Sequence, residues 1–151
     1  MVSPHTRLDG RFDVLLPGGI SSRTLRLSYC SHLGPALPAA TRTLALSVRA
    51  GIAMSVSPRV SGVGQSIYFR GRLLGGPYPA SGKQLVLEAR SPGSPWIEFK
   101  VIRTDARGRY RASYRFKFSG PVQYQFRAFS EPESDYPYAA GGSNVVGVFE
   151  R

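Results

Sequence analysis

The sequence of 151 residues has few of the residue types that build metal centres and catalytic sites. Cys30 is its one cysteine, which excludes an internal disulfide and a four-cysteine zinc module. The two histidines, His5 and His32, do not belong to any recognisable acid–base, nucleophilic or metal-ligand spacing. We therefore expect a protein that is not an enzyme and that has no cofactor and no bound metal.

Long apolar segments are also missing from the sequence. There is no run of about 18 apolar residues, which is the length needed to cross a bilayer as a helix. The residues after Met1 lack the uninterrupted apolar core of a signal peptide. The sequence therefore predicts no membrane insertion and no export signal within this chain.

Negative charge is scarce, because 9 Asp and Glu residues stand against 20 Lys and Arg residues and give a formal net charge of +11. A basic chain attracts polyanions such as nucleic acids and acidic surface polymers. The basic residues are nearly all arginine, in a chain that also has 17 Gly and 12 Pro, and GC-rich codons favour this composition. The total charge alone therefore does not identify a partner.

The sequence is rich in period-two alternation and has no convincing helical periodicity. Short alternating runs separated by Gly and Pro turns predict seven strands, at 52–56, 67–73, 85–90, 96–102, 109–116, 122–128 and 144–149. This pattern is typical of an all-β, immunoglobulin-like β-sandwich, with a small barrel as the alternative. Because no paired cysteines flank Trp96, we interpret this residue as ordinary core.

An internal repeat divides the chain into two parts. Thr6, Gly10 and Arg11 recur 98 residues later as Thr104, Gly108 and Arg109. The similarity in residue type continues beyond this turn, since 25–29 matches 124–128 and 44–48 matches 144–148. We interpret residues 1–50 as the last three strands of a truncated preceding repeat, and residues 51–151 as one complete immunoglobulin-like domain.

This division predicts that the chain is part of a longer multidomain protein. Three strands without their partner sheet expose an apolar face, made of Phe12, Val14, Leu25, Leu27, Leu44 and Leu46. We expect this face to pack on the complete domain, to pair with a second chain or to remain poorly ordered.

Four segments carry a further set of sequence signatures: Thr104–Tyr110 with the alternating aromatic residues after it, Tyr124–Ala128, Gly82–Glu88 and Ser143–Val148. These signatures resemble those of the tandem immunoglobulin-like repeats of actinobacterial surface and secreted proteins, and they are shared with fibronectin type III and prealbumin-like modules. The resemblance covers residues 52–151 in full and the first 50 in part. It implies a spacer, adhesion or polymer-contact role at an extracellular or cell-surface location, with other repeats of the same protein or a surface polymer as partners.

The basic residues are concentrated on two of the predicted strands. Arg109, Arg111 and Arg115 share the outward side of one strand, because alternate residues of a strand face the same way. If this strand pairs with the strand that bears Arg70 and Arg72, the five guanidinium groups line one sheet surface and form an anion-binding face. The alternative is a solvated strand face whose arginine stems cover apolar surface.

The long connection at 130–142 is the second candidate site. It carries residues suited to contacts, namely Glu131, Glu133, Asp135, Tyr136 and Tyr138. Its carboxylates do not match the spacing of a calcium loop, so we predict a contact loop or a solvated acidic loop. A neighbouring repeat is one partner that its charge would suit.

Three functions remain open from the sequence. The first is a non-enzymatic structural or binding module of a larger extracytoplasmic protein. The second is a nucleic-acid or anionic-polymer binder that uses the basic strand face; nucleic acid is the less favoured ligand because Tyr68 is the one aromatic residue placed beside the arginines. The third is an accessory domain of a secreted hydrolase.

Overall fold

Every regular element of the structure is a β-strand. This computed structural model describes residues 4–30, 37–117 and 120–151. Within these residues the strands are β1 (Arg23–Tyr29), β2 (Ala40–Leu46), β3 (Ile52–Ser57), β4 (Val60–Ser61), β5 (Ser66–Leu73), β6 (Gln84–Arg90), β7 (Ile97–Arg103), β8 (Arg109–Arg115), β9 (Val122–Ser130), β10 (Gly141–Gly142) and β11 (Val146–Glu150). The prediction of an all-β chain is confirmed.

Two sheets pack face to face between residues 50 and 151. One has the order β3–β5–β8, and the other has the order β4–β11–β9–β6–β7, with β10 added to β9. The alternating apolar residues of both sheets form one buried core. The architecture is an immunoglobulin-like β-sandwich, as the sequence predicts. All seven predicted strands are present, and the structure adds the two-residue strands β4 and β10.

The centre of the core is a set of aromatic rings contributed by both sheets. Phe69 of β5 meets Phe126 of β9 with the ring centroids 5.2 Å apart in an edge-on arrangement. Phe99 of β7 joins both rings, with centroid distances of 5.7 Å to Phe69 and 5.8 Å to Phe126. Tilted and edge-on contacts of this kind add to the free energy gained from burial alone.

Trp96 differs from its prediction. It is half-buried at the surface, immediately before β7, and the guanidinium groups of Arg90 and Arg127 lie 4.5 and 4.3 Å from its ring centroid. The interpretation as a core residue is wrong because two neighbouring strands present cations that bind the indole ring on the outer face of the larger sheet.

Residues 1–50 contain two strands among those that the structure describes, where the sequence predicts three. β1 and β2 form an antiparallel hairpin in which Leu25 lies opposite Leu44. The segment 11–17 has no strand assignment. The division of the chain into an incomplete and a complete repeat stays a prediction.

The turn that carries the repeat is the same at both positions. Gly10 and Gly108 both have positive φ, of 78° and 72°, a conformation that glycine adopts without steric cost. The carboxylate of Asp105 accepts hydrogen bonds from the backbone N–H groups of Arg107 and Arg109, while that of Asp9 accepts one from Arg11.

Gly71 allows β3 and β5 to approach each other closely, and this gives a first prediction. A Cβ atom at this position would lie 2.0 Å from the carbonyl oxygen of Ala53 and 2.5 Å from the Tyr110 hydroxyl, which donates a hydrogen bond to that same oxygen. We expect Gly71→Ala to lower the free energy of unfolding by about 3 kcal/mol in a urea titration. Gly147→Ala is the control, because its Cβ would meet nothing closer than 3.5 Å. Equal stability of the two variants would contradict this packing.

Candidate anion-binding face

The pairing of β5 with β8 brings the five predicted arginines together. The register places Arg70 opposite Arg111 and Arg72 opposite Arg109, with Arg115 opposite Ser66. All five side chains are exposed, while the intervening residues face the core. We call this set, Arg70, Arg72, Arg109, Arg111 and Arg115, the arginine ladder. The pairing of the two arginine-bearing strands, on which the predicted anion-binding face depended, is therefore present.

Within the part of the chain that the structure describes, none of the five guanidinium groups forms an ion pair with a carboxylate. The acidic residue nearest in sequence, Asp105, is engaged by its own turn. The hydrogen bond from the Arg109 N–H is the largest influence that lowers the pKa of this carboxyl, and the positive charges of Arg109 and Arg107 act in the same direction. Asp105 is therefore an anion that stabilises the turn backbone.

The geometry of the ladder suits an extended ligand. Outward residues on one strand are separated by about 7 Å, and directly opposed residues are separated by about 5 Å. The ladder from Arg109 to Arg115 is therefore about 20 Å long. Lys100 of β7 extends the basic surface around the open edge of the sandwich, since its Nζ donates a hydrogen bond of 3.1 Å to the carbonyl oxygen of Ser113.

Tyr68 is the aromatic residue on this face. It lies on β5 opposite Ser113, and 53% of its surface is exposed. One exposed ring is available to stack on a planar or sugar-like group. This placement agrees with the expectation from the sequence.

The second candidate site is arranged differently from its prediction. Tyr136 and Tyr138 are buried, and their rings pack at a centroid distance of 4.8 Å. Their hydroxyls donate hydrogen bonds of 3.0 and 2.9 Å to the carbonyl oxygens of Gly75 and Gly76. Burial raises the pKa of Tyr136 to about 12. The two tyrosines dock the loop on the sandwich, which corrects the expectation that their side chains are available to a partner.

The carboxylates of this loop also separate into two kinds. Glu133 points back to the sandwich, where its Oε1 lies 2.8 Å from the Nζ of Lys83. The Lys83 side chain is 1% exposed, and its ammonium also lies 6.0 Å from the centroid of the Tyr136 ring. Glu131 and Asp135 remain exposed, so these two are the loop residues still available for contact.

Sequence reasoning missed the buried pair of Lys83 and Glu133. The two residues are 50 positions apart, and no local pattern marks either of them as a partner. The one available signal was that Lys83 lies directly before an alternating apolar strand, in phase with its buried residues Leu85 and Leu87.

Among the described residues, no group of three or more His, Cys, Asp or Glu side chains is placed to hold a metal ion. The described residues also contain no helix that is long and apolar enough to span a membrane. His5 and Cys30 are both exposed, and His32 lies outside the described residues.

The buried ion pair gives a second prediction. Glu133→Gln removes the charge that balances a fully buried ammonium, and an unbalanced buried charge is costly. We expect the free energy of unfolding to fall by about 2 kcal/mol, measured by urea denaturation. Glu131→Gln is the matched control, because this exposed side chain is expected to change stability by less than about 0.5 kcal/mol. A loss in the control as large as that in Glu133→Gln would show that the pair is not the cause.

No protein-family profile and no curated protein sequence matches the chain. Among solved structures, the chain is similar to the CARDB domain of the PF1109 protein from Pyrococcus furiosus, which was crystallised in complex with di-metal ions. The two chains share 11% sequence identity, with a TM-score of 0.41, over 70% of this chain and 93% of that one. The strands and their pairing make this chain an all-β protein with an immunoglobulin-like β-sandwich.

Proposed function

We propose that the chain is a non-catalytic β-sandwich module of a larger extracytoplasmic protein, and that it binds an anionic polymer through the arginine ladder. The observation that carries this proposal is the register of β5 on β8, which sets two pairs of arginines directly opposite each other. Like charges in such positions repel, and each pair costs a few tenths of a kcal/mol. A bound polyanion removes this repulsion and gains free energy by releasing its counterions.

The shape of the face favours a polymer over a small ligand. The ladder lies on the outer side of a sheet and is long compared with one phosphate or carboxylate group. Guanidinium groups bind both of these anions with two parallel hydrogen bonds. A polymer with regularly spaced negative charges can bind several arginines of the ladder at once, so that many weak contacts add together.

An acidic cell-surface polymer fits the ladder better than a nucleic acid does. Proteins that bind single strands without sequence preference stack successive bases on several aromatic side chains. Among the described residues, this face offers one exposed aromatic ring, Tyr68. The extracellular or cell-surface location and the neighbouring repeats that the resemblance implies belong to the same proposal. The alternative function, that of an accessory domain of a secreted hydrolase, would use the same face.

The ladder is tested by replacing its charges. We expect Arg109→Gln, Arg111→Gln and Arg115→Gln together to weaken binding to long-chain polyphosphate about tenfold or more at low salt. The slope of log affinity against log salt should fall by about 2, since three phosphate contacts are lost. Retention on immobilised polyphosphate and titration calorimetry over a salt series provide these measurements.

The control for this experiment has the same change in net charge. Arg26→Gln, Arg59→Gln and Arg151→Gln together remove three exposed arginines that lie outside β5 and β8. An equal loss of affinity in both triple variants would reject the ladder as the site. Stronger binding to oligothymidylate than to polyphosphate or polygalacturonate at equal salt would favour the nucleic-acid alternative.

A second function, that of a rigid structural spacer, is favoured by the joint between the hairpin and the sandwich. The backbone N–H of Ser22 donates to the carbonyl oxygen of Pro137, at 2.8 Å. Residues 48–50 run alongside residue 139, with hydrogen bonds of 2.8 Å from Ala139 to Val48 and 2.9 Å from Ala50 to Ala139. The docked loop at 130–142 therefore contacts the first part of the chain through backbone groups.

Gly141 provides the test of this joint. A Cβ atom on Gly141 would lie 2.0 Å from the carbonyl oxygen of Ala50, whereas one on Gly142 would meet nothing closer than 3.8 Å. We expect Gly141→Ala to accelerate hydrogen exchange at the Ala50 and Ala139 amides about tenfold, and Gly142→Ala to leave it unchanged. The amides of the sandwich core report whether the domain remains folded. Equal exchange at the two joint amides in both variants would contradict a rigid joint.

A further inference from the structure

The β1–β2 hairpin has one apolar side and one polar side. Directly opposed residues of an antiparallel pair lie on the same face. Leu25 lies opposite Leu44, while Thr24 lies opposite Ala45 and Arg26 lies opposite Thr43. The same row also includes Leu27, Tyr29 and Leu46, and two arginines, Arg23 opposite Leu46 and Arg42 opposite Leu27. Leu44 is 48% exposed and Tyr29 is 53% exposed, so this side is incompletely covered.

The turn before this hairpin is equivalent to the turn before β8. The N–H of Arg7 donates to the carbonyl oxygen of Arg11, and the N–H of Gly10 donates to that of Arg7, at 2.8 and 3.0 Å. The same two bonds, with the same two lengths, join Asp105 to Arg109 and Gly108 to Asp105. The 98-residue repeat is therefore present in the backbone geometry as well as in the residue types.

We interpret β1 and β2 as the equivalents of β9 and β11 in the preceding repeat. Sequence similarity aligns Leu25 with Tyr124, and Tyr124 lies opposite Val148. Because Leu25 lies opposite Leu44, an equivalent pairing sets Leu44 at the position of Val148. The sequence alignment places Leu44 at Asn144 instead, so this interpretation requires a connection that is five residues shorter in the first copy than in the second.

In this interpretation the uncovered apolar row of the hairpin corresponds to a core face. Tyr124, Phe126 and Val148 occupy the matching positions in the complete domain, and there the sheet β3–β5–β8 covers them. Phe69 of β5 lies directly on Phe126. The same strand, β5, also pairs with β8 through backbone hydrogen bonds.

The segment 11–16 corresponds to β8 in the repeat, but among the described residues it has no partner strand that corresponds to β5. It follows the matching turn, and Phe12 stands where Tyr110 begins the inward row of β8. Among the described residues no strand lies beside it, and it has no strand assignment of its own. On the apolar side of the hairpin, the missing strands are a pair in the positions of β3 and β5. Among the described residues, an equivalent of β6, which pairs with β9 in the complete domain, is also missing beside β1.

We propose that the apolar side of the hairpin, together with residues 11–16, is a docking surface for a β-strand pair equivalent to β3–β5, supplied by polypeptide outside these 151 residues. The incoming pair places alternate apolar side chains on Leu25, Leu27 and Leu44, and adds a strand beside residues 11–16. Arg42 lies opposite Leu27 in the same row, so the occupant carries a carboxylate at this point.

The β3–β5 pair of a second intact copy of the chain is not available to this surface. The inner face of its own β3–β5–β8 sheet is already buried against its own β9 and β11. The outer face of that sheet bears the arginine ladder, whose charge has the same sign as Arg42. The docking surface therefore calls for a strand pair that is not already part of a complete sandwich.

The test adds the missing strands to the full chain. A second copy of residues 51–98 is joined directly before Met1, which preserves the 98-residue spacing of the repeat. Hydrogen exchange is then measured by mass spectrometry at residues 11–16 and 23–29. We expect the added segment to slow exchange at both places at least about tenfold relative to the unextended chain.

Two further proteins make the result decisive. In one, Ile67→Asp and Phe69→Asp are introduced in the added copy alone, and we expect the protection to be lost. In the other, the hairpin carries Leu25→Tyr, Leu27→Phe and Arg42→Val, which gives it the side chains of β9 and β11 and removes any mismatch with the added strands. Unchanged exchange with both the native and the matched hairpin would overturn the proposal. Protection of the unextended chain that rises with protein concentration, together with a dimer in sedimentation, would overturn it in favour of a second copy.

Discussion

The antiparallel register of β5 on β8 is the constraint on which both the core and the candidate site depend. This one pairing turns Ile67, Phe69 and Tyr110 into the sandwich and turns the five arginines outward. A shift of one residue would exchange the two sets, because the side-chain period of a strand is two. Burying one large apolar side chain contributes about 1.5–3 kcal/mol, while one opposed pair of like charges costs a few tenths of a kcal/mol. The core therefore decides the register, and the arginine ladder is tolerated as its consequence.

The outer faces of the two sheets differ in how their cations are neutralised. On the larger sheet, Arg127 forms an ion pair with Glu88, Arg90 donates a hydrogen bond to Gln125, and both guanidinium groups lie over Trp96. Those cations have protein partners and contribute to stability. The arginines of the smaller sheet have no such carboxylates among the described residues. This contrast, rather than the net charge of +11, makes the ladder the candidate for contact with an external anion.

The positions of the strands, and the side of the sheet that each side chain faces, could be predicted from the sequence. The alternation of apolar and polar residues is a local property, and burial of the apolar residues in the core preserves it. The ladder was predictable for this reason, once the pairing of its two strands was assumed. Trp96, Tyr136 and Tyr138 could not be placed, because each belongs to a connection whose path depends on contacts with distant residues. Tyr136 and Tyr138 are held by carbonyl oxygens at Gly75 and Gly76, about 60 positions earlier in the chain. The pair of Lys83 and Glu133 depends on that same docked loop, so it was hidden for the same reason.

Two segments of similar sequence show how much the formation of a strand depends on its neighbour. Residues 11–16 and β8 begin with the same turn, the same Gly-Arg pair and an aromatic residue, yet only β8 is a strand. The difference lies in β5, which satisfies the backbone groups of β8 on one side and covers the same core that β8 faces. The β1–β2 hairpin forms without such help because its two strands satisfy each other. A two-stranded sheet of this kind is only marginally stable in water, so its stability comes from what it packs against. The joint at Ser22 and Ala50 anchors one end of the hairpin, while Leu44 on its apolar side remains 48% exposed.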